Sequence, residues 1–132
     1  MKNELTIKKT PSNSFSIKAR LKSFQYAFEG LSSFFSTQPN AVIHLIMTLL
    51  ACSGAVFYNI SKAEAIAVTL SIGFVWTAEL FNTALEKLAD IVSTDHRPEI
   101  KFIKDVSAAA VLLSAVAAFI TGVIVFLPKL LA

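Results

Sequence analysis

The chain has 132 residues, 55% of them hydrophobic and 16% charged, with a formal net charge of +3 and a mean hydropathy of +0.64; soluble domains average roughly 45–50% apolar and 25% charged residues. It is too apolar for an ordinary cytosolic protein and too short for a Rossmann or P-loop enzyme with its own parallel sheet. Its apolar runs are continuous rather than alternating, which excludes an outer-membrane barrel, and the single Cys52 allows neither an intrachain disulfide nor a cysteine-built metal site.

The charges are unevenly placed, with none in 30–61, 65–78 or 106–128. The apolar residues therefore come in blocks of membrane-spanning size, and the expected fold is an all-α integral membrane protein with three spans. Residues 1–29 carry six Lys/Arg against Glu4 and Glu29. A basic end directly before the first span points to a cytoplasmic, lipid-facing terminus rather than to nucleic acid as a partner. The first long apolar stretch starts near residue 41 and no small-residue cleavage site follows a short one, so no signal peptide is expected.

In chain order, residues 1–14 are polar and without periodicity, the pattern of a mobile tail. Over 15–36, Ile17, Leu21, Phe24, Phe28, Leu31 and Phe35 recur at spacings of 4, 3, 4, 3 and 4, which places them on one helical stripe. Lys18, Lys22, Gln25 and Glu29 fall to its side, as in a helix lying in the membrane interface. The same pattern also suits a helix packed on a protein core. Pro39 breaks the chain at 37–40. The first span is expected at about 41–58 and a short turn follows through Asn59, Ile60 and Ser61. A second helix over 63–90 is longer than one crossing, so its last turns should reach the cytoplasmic interface. A polar loop at 92–98 and a short segment from Glu99 lead to a third span, opened by Lys104 and Asp105 and ending at 127 before Pro128. The loop between the first two spans is neutral, so the Lys/Arg bias puts the N-terminus and the 92–105 loop inside and the C-terminus outside.

Glu79, Asn82, Glu86 and Asp90 stand at angles of about 0°, 300°, 340° and 20° around the second helix, so all four share one face. A carboxylate at membrane depth costs a few kcal/mol on insertion scales, and three on one stripe repel unless a cation lies between them. A divalent metal bound together with a phosphate is the economical answer, and Mg²⁺ takes such hard oxygen ligands. For Glu86 and Asp90 a merely interfacial position is the alternative. Lys104 and Asp105 open the next helix at about the same depth, either as a membrane-boundary marker or as part of one site with Glu86 and Asp90. Trp76, one turn from Glu79, is either a pocket wall or a packing residue. His44 reads as a partnered interfacial histidine or as a metal ligand. Ser107, Ala108, Ala109 and Ala110 make a small-residue face suited to close helix packing. No Gly-rich phosphate loop is present, so a nucleotide would have to be held without one.

The run Glu79 to Asp90 (ELFNTALEKLAD) resembles the E-x-x-N-[ST]-A-[IL]-E-x-x-x-D signature of the prokaryotic diacylglycerol kinase and undecaprenol kinase family of small membrane lipid kinases. Lys104 to Leu112 (KDVSAAAVL) is similar to that family's K-D-x-[AS]-[AS]-[AG]-A-V-L segment. Ser23-Phe24 through Gly30-Leu31, Asn40 with His44, and the ending Phe126-Leu127-Pro128 add to the likeness, which covers about residues 18–128. It implies a homotrimer of three-span subunits with an N-terminal surface helix, which transfers the γ-phosphate of MgATP to the primary hydroxyl of a membrane lipid. By position, Glu79 would be the general base, next to the lipid together with Ala108. Asn82 would orient the reacting groups, and Glu86 would ligate Mg²⁺. Arg20, Tyr26, Glu86, Asp90, Asp95, His96, Lys104 and Asp105 would lie around the nucleotide. Gln38 stands where the best-known members carry a second metal-ligating glutamate, and Val42 where an arginine or glutamine is often found. The Asn40/His44 pair and the Phe-Leu-Pro ending look more like the undecaprenol branch than the diacylglycerol branch. The rival reading is a non-catalytic membrane scaffold or inactive kinase relative, motivated by Gln38. A transporter or channel subunit fits the intramembrane acids but not their crowding at one interface.

Overall fold

The computed structural model describes residues 16–93, 95 and 97–131, and the polar tail expected at 1–14 lies outside the described residues. All regular structure among these residues is helical, in the order α1 (Ile17–Thr37), α2 (Pro39–Phe57), α3 (Lys62–Val92) and α4 (Pro98–Leu130). The chain divides into two compact units, Met1–Leu31 and Ser32–Ala132. Within the first, α1 carries side-chain contacts at helical spacing: Gln25 Nε2 donates to Glu29 Oε1 at 2.8 Å, and Lys22 lies 5.6 Å from the centre of the Tyr26 ring. The second unit holds three helices long and apolar enough to cross a membrane, α2, α3 and α4.

The junctions follow from their residues. Gln38 alone is extended (φ −113°, ψ 105°), and Pro39 occupies the first turn of α2, where its missing N–H costs nothing. The break expected over four residues is thus a single one. At the far end of α2, Asn59 adopts φ 48°, a conformation that asparagine tolerates better than most residues. It lets Asn59 N donate to Val56 O and Ile60 N to Ala55 O, both at 3.2 Å, which satisfies carbonyls left open at a helix end. Ser61 then starts α3 with a capping box: Glu64 N donates to Ser61 Oγ at 3.3 Å, and Ser61 N donates to Glu64 Oε2 at 2.7 Å.

Two boundaries differ from the sequence expectation. The segment from Glu99 and the third span are one helix that starts at Pro98, again at a position where proline is tolerated. At the other end the helix continues through Pro128 to Leu130. Proline removes only the bond to the carbonyl of Ile124, and so close to a terminus little helix remains to be kinked. At 1.5 Å per residue the 31 residues of α3 and the 33 of α4 span about 46 and 50 Å, well beyond a hydrocarbon core of about 30 Å.

α3 and α4 run antiparallel in one continuous register. Read backwards along α3 from Asp90 through Ser71 to Glu64, the partners on α4 run forwards from Lys104 through Thr121 to Lys129. The pairs meet at 2.6 Å, 3.1 Å and 3.1 Å. In lipid there is no water to satisfy a lone hydroxyl, so Ser71 Oγ donates to Thr121 Oγ1, which in turn donates to Ala117 O at 3.0 Å. α2 joins this pair through Gly54, where an added Cβ would lie 3.2 Å from Phe126 Cε1 of α4. Buried apolar side chains are few: Phe34, Ala41, Val68, Val75, Ala89 and Val125.

Candidate functional site

The site is built on the lower half of α3, where one helical face passes Trp76, Glu79, Asn82, Glu86 and Asp90 in turn. Among the described residues Glu79 is the most enclosed charged one, 3% exposed. Its Oε1 lies 2.7 Å from His44 Nε2 of α2. One turn further along α2, Thr48 Oγ1 accepts from Trp76 Nε1 at 3.1 Å. The two contacts are parallel rungs between α2 and α3. Phe34 and Phe35, at the end of α1 within the same unit, pack on the Trp76 ring at centroid distances of 6.1 Å and 5.4 Å. Trp76 is therefore a packing residue whose polar end is satisfied.

Below Glu79, Asn82 Nδ2 donates to Glu86 Oε1 at 3.2 Å, as i,i+4 neighbours on one helix do. The other end of the same amide, Asn82 Oδ1, is buried with no hydrogen-bond partner, as is Thr83 Oγ1. An orphaned buried acceptor is unusual in a folded protein and points to a ligand or contact that is not provided by these residues.

At the turn between α3 and α4, Asp90 Oδ1 accepts from Lys104 Nζ at 2.6 Å, and Lys101 pairs with Asp105 one turn along α4. Asp90, Asp95, Arg97, Lys101, Lys104 and Asp105 line an open pocket of about 640 Å³. Three cations and three anions line this cavity, and two of its lysines are paired with two of its aspartates.

The structure thus brings the candidates together in three groups: Glu79 with His44, Asn82 with Glu86, and Asp90, Asp95, Lys104 and Asp105 around the pocket. The three carboxylates of α3 expected to share a cation are not gathered at one point. Glu79 and Asp90 have side-chain partners of their own, and among the described residues no group of three His, Cys, Asp or Glu is placed to hold a metal. What remains for a hard cation is oxygen of another kind: Glu86, half-buried and partnered only by an amide, and the orphaned Asn82 Oδ1 beside it. That donor set fits Mg²⁺, which takes one or two carboxylates and completes its shell with phosphate and water. Gln38 is half-buried at the N-cap of α2, and its side chain makes no capping bond. Ala108 is exposed on α4, next to the buried Ser107. Arg20 and Tyr26 belong to the first unit, and His96 lies outside the described residues.

Two contributors were not singled out by sequence. Arg97 and Lys101 line the pocket. Lys101 carried a usable signal in its i,i+4 spacing to Asp105, whereas Arg97 carried none beyond its place in a polar loop.

The match to known proteins is consistent with this geometry. The family described as prokaryotic diacylglycerol kinase matches residues 25–126, a stretch that holds both rungs, the Asn82–Glu86 pair and the pocket. A protein of Synechocystis sp. named diacylglycerol kinase is 38% identical over 112 residues, which cover 84% of this chain and 64% of that protein. The chain thus spans just under two thirds of that relative's length. A protein of Bacillus subtilis named undecaprenol kinase is 34% identical over 109 residues, covering 83% of this chain and 89% of its own length. With most of its length matched, its three apolar helices and its charged α3 face, the chain belongs to the prokaryotic diacylglycerol kinase family.

Proposed function

We propose that the chain is a membrane lipid kinase that moves the γ-phosphate of ATP to the primary hydroxyl of a lipid, undecaprenol or diacylglycerol, at the cytoplasmic face of the bacterial inner membrane. The observation that carries this reading is the burial of Glu79 beside His44: a carboxylate enclosed at the edge of an apolar helix is costly to keep unless it does chemistry. Phosphoryl transfer asks the protein mainly for positioning and for charge placed around the phosphates. Glu79 takes the proton of the lipid hydroxyl as that oxygen attacks phosphorus, with Ala108 leaving room for the lipid. Asn82 orients the reacting groups through its amide. Lys104 neutralises phosphate charge, with Asp90, Asp95, Asp105 and His96 around the nucleotide and Arg20 and Tyr26 contributed by α1.

Glu86, the Asn82 carbonyl oxygen and Gln38 are the residues that would hold Mg²⁺, which when bound neutralises charge on the phosphates. The working unit is a homotrimer, with N-termini cytoplasmic and C-termini outside. Its support is physical: three thin spans bury too few side chains to enclose a nucleotide and a lipid hydroxyl by themselves.

The experiment is transfer of labelled γ-phosphate by purified protein in mixed micelles offering diacylglycerol and undecaprenol side by side. Labelling of either lipid supports the kinase and identifies its substrate. Labelling of neither by well-folded protein favours a non-catalytic scaffold.

A further inference from the structure

His44 is 35 residues from Glu79 in sequence and on another helix, yet its Nε2 lies 2.7 Å from Glu79 Oε1. The two side chains are 19% and 4% exposed. The lysines of the described ion pairs go elsewhere, to Asp105, Asp90 and Glu64. A carboxylate that acts as a base has to be ionised, and an ionised carboxylate only accepts hydrogen bonds. Opposite such a group the imidazole must donate, which assigns the proton to Nε2.

The His44 ring is itself seated. It meets the edge of Trp76 at a centroid distance of 6.2 Å and an angle of 69°, and Trp76 is tied to Thr48, one turn from His44 on the same face of α2. A slide of α2 against α3 would break both rungs together, so the helix register, not a flexible loop, sets the point at which His44 meets Glu79.

We infer that His44 is the positioning residue of the site: its Nε2–H holds one oxygen of Glu79 so that the other is left, at a fixed angle, for the acceptor hydroxyl. The inference rests on the reading of Glu79 as the base. Glutamate has three rotatable side-chain bonds, and a base that samples several rotamers spends most of its time out of line with the proton it must take. One anchored oxygen removes that freedom without consuming the carboxylate, which has a second oxygen to work with. As a positioning residue His44 acts through Glu79, and its effect falls on the chemical step rather than on binding.

The test is steady-state kinetics on the full-length protein in mixed micelles, with His44→Leu, His44→Met and His44→Gln compared with wild type and Glu79→Gln. His44→Leu and His44→Met remove the donor; His44→Gln keeps an N–H of similar reach. The two apolar variants should lose about tenfold to a hundredfold in kcat while KM for ATP and for lipid stays within about threefold, and His44→Gln should recover a large part of the loss. If His44→Leu does not assemble, the comparison of Met with Gln, side chains of similar length, decides by the same criterion. Wild-type kcat in a folded apolar variant overturns the inference, as does a Gln variant as slow as the apolar ones, or a loss confined to KM. These failures are distinct from failure of the underlying reading, which would show as an inactive wild type or as a Glu79→Gln variant with normal turnover.

Discussion

Asp90 near the end of α3 and Lys104 in the second turn of α4 are joined at 2.6 Å across the connecting loop, so the two helices are tied at the point where the charged pocket opens. Both side chains are substantially exposed, 48% and 38%, and an exposed ion pair contributes little to stability. Its role is better sought in the pocket. Lys104→Met should leave thermal stability close to that of wild type and raise KM for ATP by about tenfold or more, as expected on loss of a charged contact to phosphate. An unchanged KM would remove Lys104 from the nucleotide site.

The metal half of the site is tested at Gln38. With Glu86 as the only carboxylate among the proposed ligands, the site has one charge fewer than a site with two glutamates. A charged partner is worth on the order of 1–3 kcal/mol more than a neutral one in such a contact. Gln38→Glu should therefore lower the Mg²⁺ concentration for half-maximal activity by roughly tenfold, since 1.4 kcal/mol is one decade, and Glu86→Gln should raise it or abolish activity. If titration of Gln38→Glu with Mg²⁺ gives the wild-type curve, position 38 is outside the metal shell.

Much of this arrangement was readable in the sequence because it is local. Charge-free blocks announce α2, α3 and α4, and the spacing of Glu79, Asn82, Glu86 and Asp90 puts them on one face whatever surrounds the helix. The partners of those residues were not readable, because they depend on the register between helices. Nothing near His44 says that it faces Glu79 rather than its neighbour one turn away; the α2 to α3 pairing decides that, and the Trp76–Thr48 rung beside it is equally non-local. The surroundings of the three carboxylates of α3 are non-local in the same way, since His44 and Lys104 reach Glu79 and Asp90 from other helices. Pro128 is the opposite case: proline breaks helix interiors, yet here so little helix remains beyond it that α4 runs on to Leu130.

Assembly can be tested by subunit mixing. If each site combines Glu79 of one chain with α1 of another, Glu79→Gln chains mixed with chains altered at Arg20 and Tyr26 should recover activity that neither homo-oligomer has. Absence of recovery in verified mixed oligomers would contradict a shared site.

Packing gives a prediction free of the catalytic reading. An added Cβ at Gly54 lies 3.2 Å from Phe126 Cε1, so alanine needs only a small shift of the ring, whereas leucine must displace it. Gly54→Leu should cost about 1–3 kcal/mol through overpacking and Gly54→Ala clearly less. Reversible unfolding in mixed detergent checks the order, and equal stability of the two variants would show that α2 and α4 are not held together at this point.

The most direct measurement is the turnover of Glu79→Gln in the micelle assay, at saturating MgATP and lipid, against wild type. Glutamine keeps the shape of the side chain and an oxygen for His44 Nε2–H, but it cannot accept the hydroxyl proton. The expected result is a folded variant whose kcat is lower by about 10²-fold or more, the contribution of a general base. A kcat close to that of wild type would show that Glu79 is not the base.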